Sequence, residues 1–179
     1  MKKFFLISVV TLFVLSQYSF AQVNPGDIFV GPKVALGGVG KASLGYGLNA
    51  EYLLSNNLGV GFTGMYSGYS EDYSFWGASG SWSYSNIYLM GMVTYHYDLF
   101  GSPSFDTYGA FNIGYNVASA SWKWNNNPYS APQPASASVG GLVWGFSATM
   151  RYFVSPSLAL TASAGYGLGY LQVGVDFKL

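Results

Sequence analysis

The stretch LQVGVDFKL, residues 171–179, puts Leu171, Val173, Val175, Phe177 and Leu179 on one face of an extended strand and Gln172, Gly174, Asp176 and Lys178 on the other. Side chains alternate across a strand with a period of two, so one face is apolar throughout and the other is polar or small. An apolar face that carries an aromatic near its end predicts the closing strand of a membrane barrel.

The same period runs backwards through the chain. Strands are expected at about 27–37, 43–53, 58–69, 86–97, 106–118, 139–153, 158–166 and 171–179. The second is the cleanest, with Leu44, Tyr46, Leu48, Ala50 and Tyr52 opposite Ser43, Gly45, Gly47, Asn49 and Glu51. Pro32 interrupts the first and must sit at a bulge or remove a ladder hydrogen bond. The phase of the fourth is open, because Met90 and Met92 oppose Ile87, Leu89 and Val93. Segments 70–85 and 119–138 read as two long loops after the third and fifth strands, whereas the connections after the second, fourth and sixth read as short. That asymmetry, and an even strand count that returns both ends to one side, fit an all-β, eight-stranded antiparallel up-and-down transmembrane barrel with short periplasmic turns.

Composition separates this reading from a soluble barrel of the same period. Only 8% of residues are charged and 19% are aromatic, with 24 glycines. Soluble surfaces carry about 25–35% charged residues. The non-apolar faces here are mostly Gly, Ser, Thr, Ala and Asn, which suit a narrow lumen rather than water. Aromatics sort to the strand ends as two interface girdles: Tyr52, Tyr95, Tyr97, Tyr152 and Phe177 at one end, Tyr66, Tyr69, Tyr115, Trp144 and Tyr166 at the other. No cysteine is present for a disulfide, and no basic patch points to nucleic acid.

The N-terminus reads as an export signal. Lys2 and Lys3 precede the apolar run 4–15, too short to span a bilayer as a helix, and Ser19-Phe20-Ala21 offers a cleavage junction. The expected organisation is a signal peptide, 1–21, followed by a barrel domain, 22–179, in the outer membrane.

Strand phase turns the few strand charges inward. An Arg on the lipid face at mid-membrane costs about 2–4 kcal/mol, so Arg151 is expected in the lumen beside Glu51. Lys33, Asp176 and Lys178 are candidate members of the same network. A lumen plug is favoured over an ion-conducting role, and the conducting alternative is kept open.

GDIFVGPKVALGG (26–38), YLLSNNLGVGF (52–62) and VGVDFKL (173–179) resemble the small eight-stranded outer-membrane barrels, the OmpA/OmpX/OmpW-like superfamily, and especially the outer membrane beta-barrel domains of Bacteroidetes-type bacteria. The resemblance implies a monomeric, non-enzymatic barrel without cofactor, embedded in membrane lipids and lipopolysaccharide. It also implies that the last strand (Val173, Val175, Phe177, Leu179) closes the barrel and serves as the signal read by the barrel-assembly machinery. That signal commonly ends in Phe in the family, and here Phe177 stands two residues before Leu179.

Catalytic signatures are weak. Some barrels of this size act on lipid A through His with Ser and an acidic residue, but the one histidine, His96, is expected at the periplasmic end, away from the outer leaflet. It reads as structural, and one His without Cys does not make a metal site. The segment GGVGKAS (37–43) lacks the spacing of a phosphate loop and reads as a hairpin turn. Functional signal is left to the two loops. In the first, Tyr73 and Phe75 are expected to face Trp82 and Tyr84 across a Gly/Ser turn, with Trp76 nearby. The second carries Trp122, Trp124 and Tyr129 ahead of a Pro/Ser/Ala run. Such aromatics grip a partner, stack on sugars, or anchor in lipopolysaccharide, and the sequence leaves these readings equal. The expected function is structural or adhesive, through 70–85 and 119–138, with a narrow solute or ion channel as the alternative.

Overall fold

The computed structural model describes residues 23–127 and 129–179; the expected signal peptide lies outside the described residues. The strands are β1 (Ile28–Val39), β2 (Ala42–Leu53), β3 (Leu58–Phe75), β4 (Ala78–His96), β5 (Phe105–Asn126), β6 (Ala137–Ser155), β7 (Leu158–Tyr166) and β8 (Leu171–Lys178). Each pairs antiparallel with its sequence neighbours, and β8 returns to β1, with Val30 opposite Phe177 and Val34 opposite Val173. The expected eight-stranded up-and-down barrel is therefore closed. Closure satisfies the backbone within the ring, as lipid requires. Pro32 needs no bulge: Val30–Phe177 and Lys33–Gly174 keep one register on either side of it, and the ladder with β8 lapses only at Gly31 and Pro32.

Leu48, Phe62, Leu89, Ile113, Phe146, Leu160 and Val173 stand exposed on the outside, which is the apolar belt. The open phase of β4 resolves with Met90, Met92, Thr94 and His96 buried inside and Ile87, Leu89, Val93 and Tyr95 outside. The methionines adapt to irregular space. Both girdles are present on the outer surface, except that Tyr69 points to the inner face, where it stacks on Tyr84 with ring centroids 4.7 Å apart.

The two long loops are mostly strand. β3 and β4 pair without a break from Leu58–Tyr95 to Phe75–Ala78, and β5 runs on to Asn126. Tyr73 pairs with Gly80, Glu71 with Trp82 and Tyr69 with Tyr84, so the expected facing pairs are shifted. The turn is the two-residue Trp76-Gly77, both residues left-handed at φ 50° and 81°, as a tight hairpin favours. The connection 97–104 after β4 is longer than this turn, so connection length does not sort by side. Strand length does: β3 to β6 span 18 to 22 residues, while β1, β2, β7 and β8 span 8 to 12. The excess rises as a four-stranded sheet from the end opposite the chain termini.

Along these rising strands the phase is kept but the chemistry inverts. Below, outward residues are apolar. Above Tyr66, Ile87 and Val117, the outward positions are Ser70, Asp72 and Ser74 on β3, Ser81, Ser83 and Ser85 on β4, and Ser119, Ser121 and Lys123 on β5. Inward positions come to include Tyr69, Glu71 and Tyr73, Trp82 and Tyr84, Trp122 and Trp124, among smaller residues such as Gly80, Ala118 and Ala120. The inversion marks where hydrocarbon gives way to water.

A ring of eight strands curves sharply, and inward side chains converge. Gly114 on β5 faces inward, and a Cβ there would sit 2.1 Å from the Leu89 carbonyl oxygen. At Gly109, on the outward face of the same strand, a Cβ meets nothing within 4 Å. Gly114→Ala is expected to lower stability in urea unfolding by about 1–3 kcal/mol, the usual penalty of overpacking, and Gly109→Ala to leave the midpoint unchanged.

Candidate functional site

The most elaborate side-chain arrangement inside the barrel centres on Arg151 of β6, which is fully buried. Its alternation places it inward, at the level where β2, β5 and β8 each present a carboxylate. Nη2 donates to Glu51 Oε2 at 2.7 Å, Nη1 to Asp106 Oδ2 at 2.7 Å, and Nε to Asp176 Oδ2 at 2.9 Å. The guanidinium lies 3.9 Å from the Phe29 ring centroid and 4.9 Å from that of Tyr108. An arginine suits this place because its planar fork meets several carboxylates at once.

His96 extends the cluster. Nδ1 lies 2.8 Å from Asp106 Oδ1 and Nε2 lies 3.0 Å from Glu51 Oε1. Carboxylate oxygens only accept, so the ring form that satisfies both is the imidazolium with two N–H donors. Thr94 donates its hydroxyl to Glu51 Oε1 at 2.5 Å, and the Asn49 amide reaches Asp176 at 3.4 Å. Lys33 is buried nearby, its stem against Gly174, within electrostatic reach of Asp176 and Glu51. Three carboxylates therefore face Arg151, Lys33 and His96 in a balanced set.

Of the residues singled out from sequence, Glu51, Arg151 and Asp176 meet directly, and Lys33 sits beside them. Lys178 does not join. It lies at the barrel rim, 2.7 Å from Asp27 Oδ2, because its position near the end of β8 puts it beyond the cluster. Asp106, His96, Thr94 and Asn49 were missed as members. The signal for His96 was its alternation with Met90, Met92 and Thr94, which fixes it inward once the phase of β4 is known. Asp106 looked like the residue that starts a strand.

Apolar clusters are packed inside the barrel on both sides of this site. Phe29, Leu53, Phe153 and Ala159 fill the end near the termini, with Val23 against them. Met92, Tyr108 and Ala110 pack above, and Ala35, Val39, Met65, Tyr88, Met90 and Leu168 cap the other end. His96 and Asp106 also border an open depression of about 800 Å³ among the turns at the termini end. His96 has both ring nitrogens committed to carboxylates, which leaves it no free nitrogen to act as a base there.

The loop candidates fall into two groups. Phe75 and Trp76 are exposed at the ribbon tip, and Tyr129 is exposed while its hydroxyl donates to the Trp76 carbonyl at 2.6 Å. Tyr73, Trp82, Trp122 and Trp124 share the inner face of the sheet, with Trp82 and Trp122 centroids 5.4 Å apart. On β8, Val173, Phe177 and Leu179 face outward and Val175 is half-buried.

Arg151→Met keeps much of the side chain's bulk and strands three carboxylates. Removing one partner of a buried ionic network costs about 3–5 kcal/mol, so the unfolding midpoint in micelles is expected to fall sharply. Lys178→Ala breaks a rim pair and is expected to cost about 1 kcal/mol or less. Equal losses in the two variants would show that the Arg151 cluster does not hold the lumen together.

No protein-family model matches the chain, and no curated protein matches it by sequence. Among solved structures, the N-terminal β-barrel domain of Pseudomonas aeruginosa OprF is similar over 88% of this chain and 100% of that one, at 12% identity and a TM-score of 0.55. A de novo designed transmembrane β-barrel is similar over 88% and 99%, at 16% identity and a TM-score of 0.50. The attachment invasion locus protein Ail of Yersinia pestis covers 86% and 95%, at 17% identity and a TM-score of 0.46. The first two likenesses show that this chain has the fold of the small eight-stranded transmembrane barrels.

Proposed function

We propose that the chain is a non-enzymatic barrel of the bacterial outer membrane, closed to solutes, that acts at the cell surface through the projecting sheet of β3 to β6. The observation that carries this reading is the inversion of face chemistry along continuous strands. A sheet built only to span lipid has no reason to continue with serines outside and aromatics inside. The packing of the lumen supports the first half: Arg151 is bonded to three strands, and apolar clusters lie on both sides of it. In this reading the apolar belt meets membrane lipids, the outer girdle meets lipopolysaccharide, β8 is read by the barrel-assembly machinery, and the barrel is a monomer.

Two measurements test it. The purified barrel in planar bilayers is expected to give no reproducible conductance steps, and steady steps above baseline would establish the channel alternative instead. Removing residues 71–82 and rejoining β3 to β4 with a two-residue turn should leave a folded barrel, seen as an unchanged heat-dependent gel shift, but reduce attachment of cells displaying it. Undiminished attachment would exclude the projecting sheet as the working surface.

A further inference from the structure

The inner face of the projecting sheet gathers six aromatic side chains from three strands. Tyr69 and Tyr73 of β3, Trp82 and Tyr84 of β4, and Trp122 and Trp124 of β5 follow the lumen phase upward, beyond the short β1–β2 and β7–β8 hairpins. Their rings are in mutual contact: Tyr69 on Tyr84 at 4.7 Å, Trp82 on Trp122 at 5.4 Å, Trp122 on Trp124 at 5.2 Å and Tyr73 on Trp122 at 6.2 Å. Trp122 lies across Gly80, where a Cβ would sit 2.2 Å from its ring, so its orientation is set by the backbone beneath it.

Packing explains the rings but not their polar ends. Trp122 is 8% exposed, and the Nε1 atoms of both Trp122 and Trp124 are buried with no acceptor among the described residues. A buried donor left unmade costs about 1–3 kcal/mol, and an indole N–H usually finds a partner when buried. Residues 129–136 are tied to the sheet here, yet these hydrogen bonds end on backbone oxygens: Tyr129 Oη donates to the Trp76 carbonyl at 2.6 Å and Gln133 Nε2 to the Trp122 carbonyl at 2.8 Å. Charge adds a selection. Glu71, on the inner phase, is paired with Lys41 at 3.8 Å and accepts from the Tyr73 hydroxyl at 2.8 Å, while Asp72 and Lys123 point to the outer face. A polyanion or a polycation gains nothing there.

We infer that this face binds neutral glycans, with hexose rings laid on the preset aromatic surface and sugar oxygens accepting from the indole N–H groups of Trp122 and Trp124. Sugar rings offer apolar C–H faces and abundant acceptors, the two features this surface lacks partners for. Residues 129–136, tied to the sheet through Tyr129 and Gln133, act as a strap that the ligand lifts. The inference rests on the surface-interaction reading and gives it a ligand class.

The test uses the full barrel folded in amine-oxide micelles, which present no sugar, titrated with cellohexaose, maltohexaose and chitohexaose while tryptophan emission is followed. At least one is expected to bind with a Kd of about 0.1–1 mM. The double variant Trp122→Phe, Trp124→Phe keeps ring stacking but removes both donors and is expected to weaken binding about tenfold. Tyr73→Ala, at an exposed edge of the face, should weaken it several-fold, and replacing residues 129–136 with Gly-Gly should tighten it. Absence of binding by all three sugars at about 10 mM, unchanged binding in the phenylalanine variant, or binding only of a sulfated hexasaccharide would overturn the inference. If the sugars fail while deletion of 71–82 still lowers cell attachment, the surface role stands and only the ligand class falls.

Discussion

Everything in this molecule follows from closing a ring of only eight strands in a solvent that offers no hydrogen bonds. Open edges in hydrocarbon leave backbone groups unpaired, so β8 must meet β1. Eight strands give a lumen that side chains nearly fill. Gly, Ser, Thr and Asn take many of the inward positions, and the large rings Phe29, Tyr88 and Tyr108 sit in clusters that each include an alanine, Ala159, Ala35 and Ala110 respectively. Gly47 and Gly114 show the limit: in each case a single added carbon would enter the carbonyl of the adjacent strand.

Burying charge in such a space is costly unless every charge is answered. The cluster around Arg151 answers them by drawing one carboxylate each from β2, β5 and β8, with His96 of β4 bridging two of those carboxylates. Five strands are thereby linked at one level, among them β8, one side of the seam. A network that spans strands far apart in sequence, Glu51 to Arg151 for instance, can form only once the ring is complete. It therefore favours one register over its neighbours, since a slip by one residue turns these groups toward lipid.

Much of this was legible in residue order. LQVGVDFKL gave its own two faces, and Glu51, Arg151 and Asp176 were placed inward by counting in twos. What residue order hid was three-dimensional height and the chemistry of an unfamiliar environment. Lys178 has the right parity for the lumen, but β8 has already passed the level of Arg151 at Asp176, and the side chain reaches Asp27 at the rim instead. His96 and Asp106 meet across the wall of two adjacent strands, a juxtaposition visible only from register. The segments 70–85 and 119–138 looked like loops because apolar alternation stopped there. Alternation itself had not stopped; it had passed from aliphatic against small to aromatic against serine.

That change of alphabet explains why one sheet has two opposite surfaces along its length. Below the inversion, lipid outside favours Leu, Ile and Phe, and crowding inside favours small polar residues. Above it, water outside favours serine, and with no opposing wall the inner face is free to carry large rings. The strands keep their phase through the boundary because changing it requires a bulge, and β3 and β4 pair from end to end without one. A continuous ladder thus transmits the rigidity of the membrane wall into the projecting sheet. The aromatic face is continuous with the barrel wall that carries it, and a continuous backbone favours the fixed ring placement by which a surface recognises a ligand.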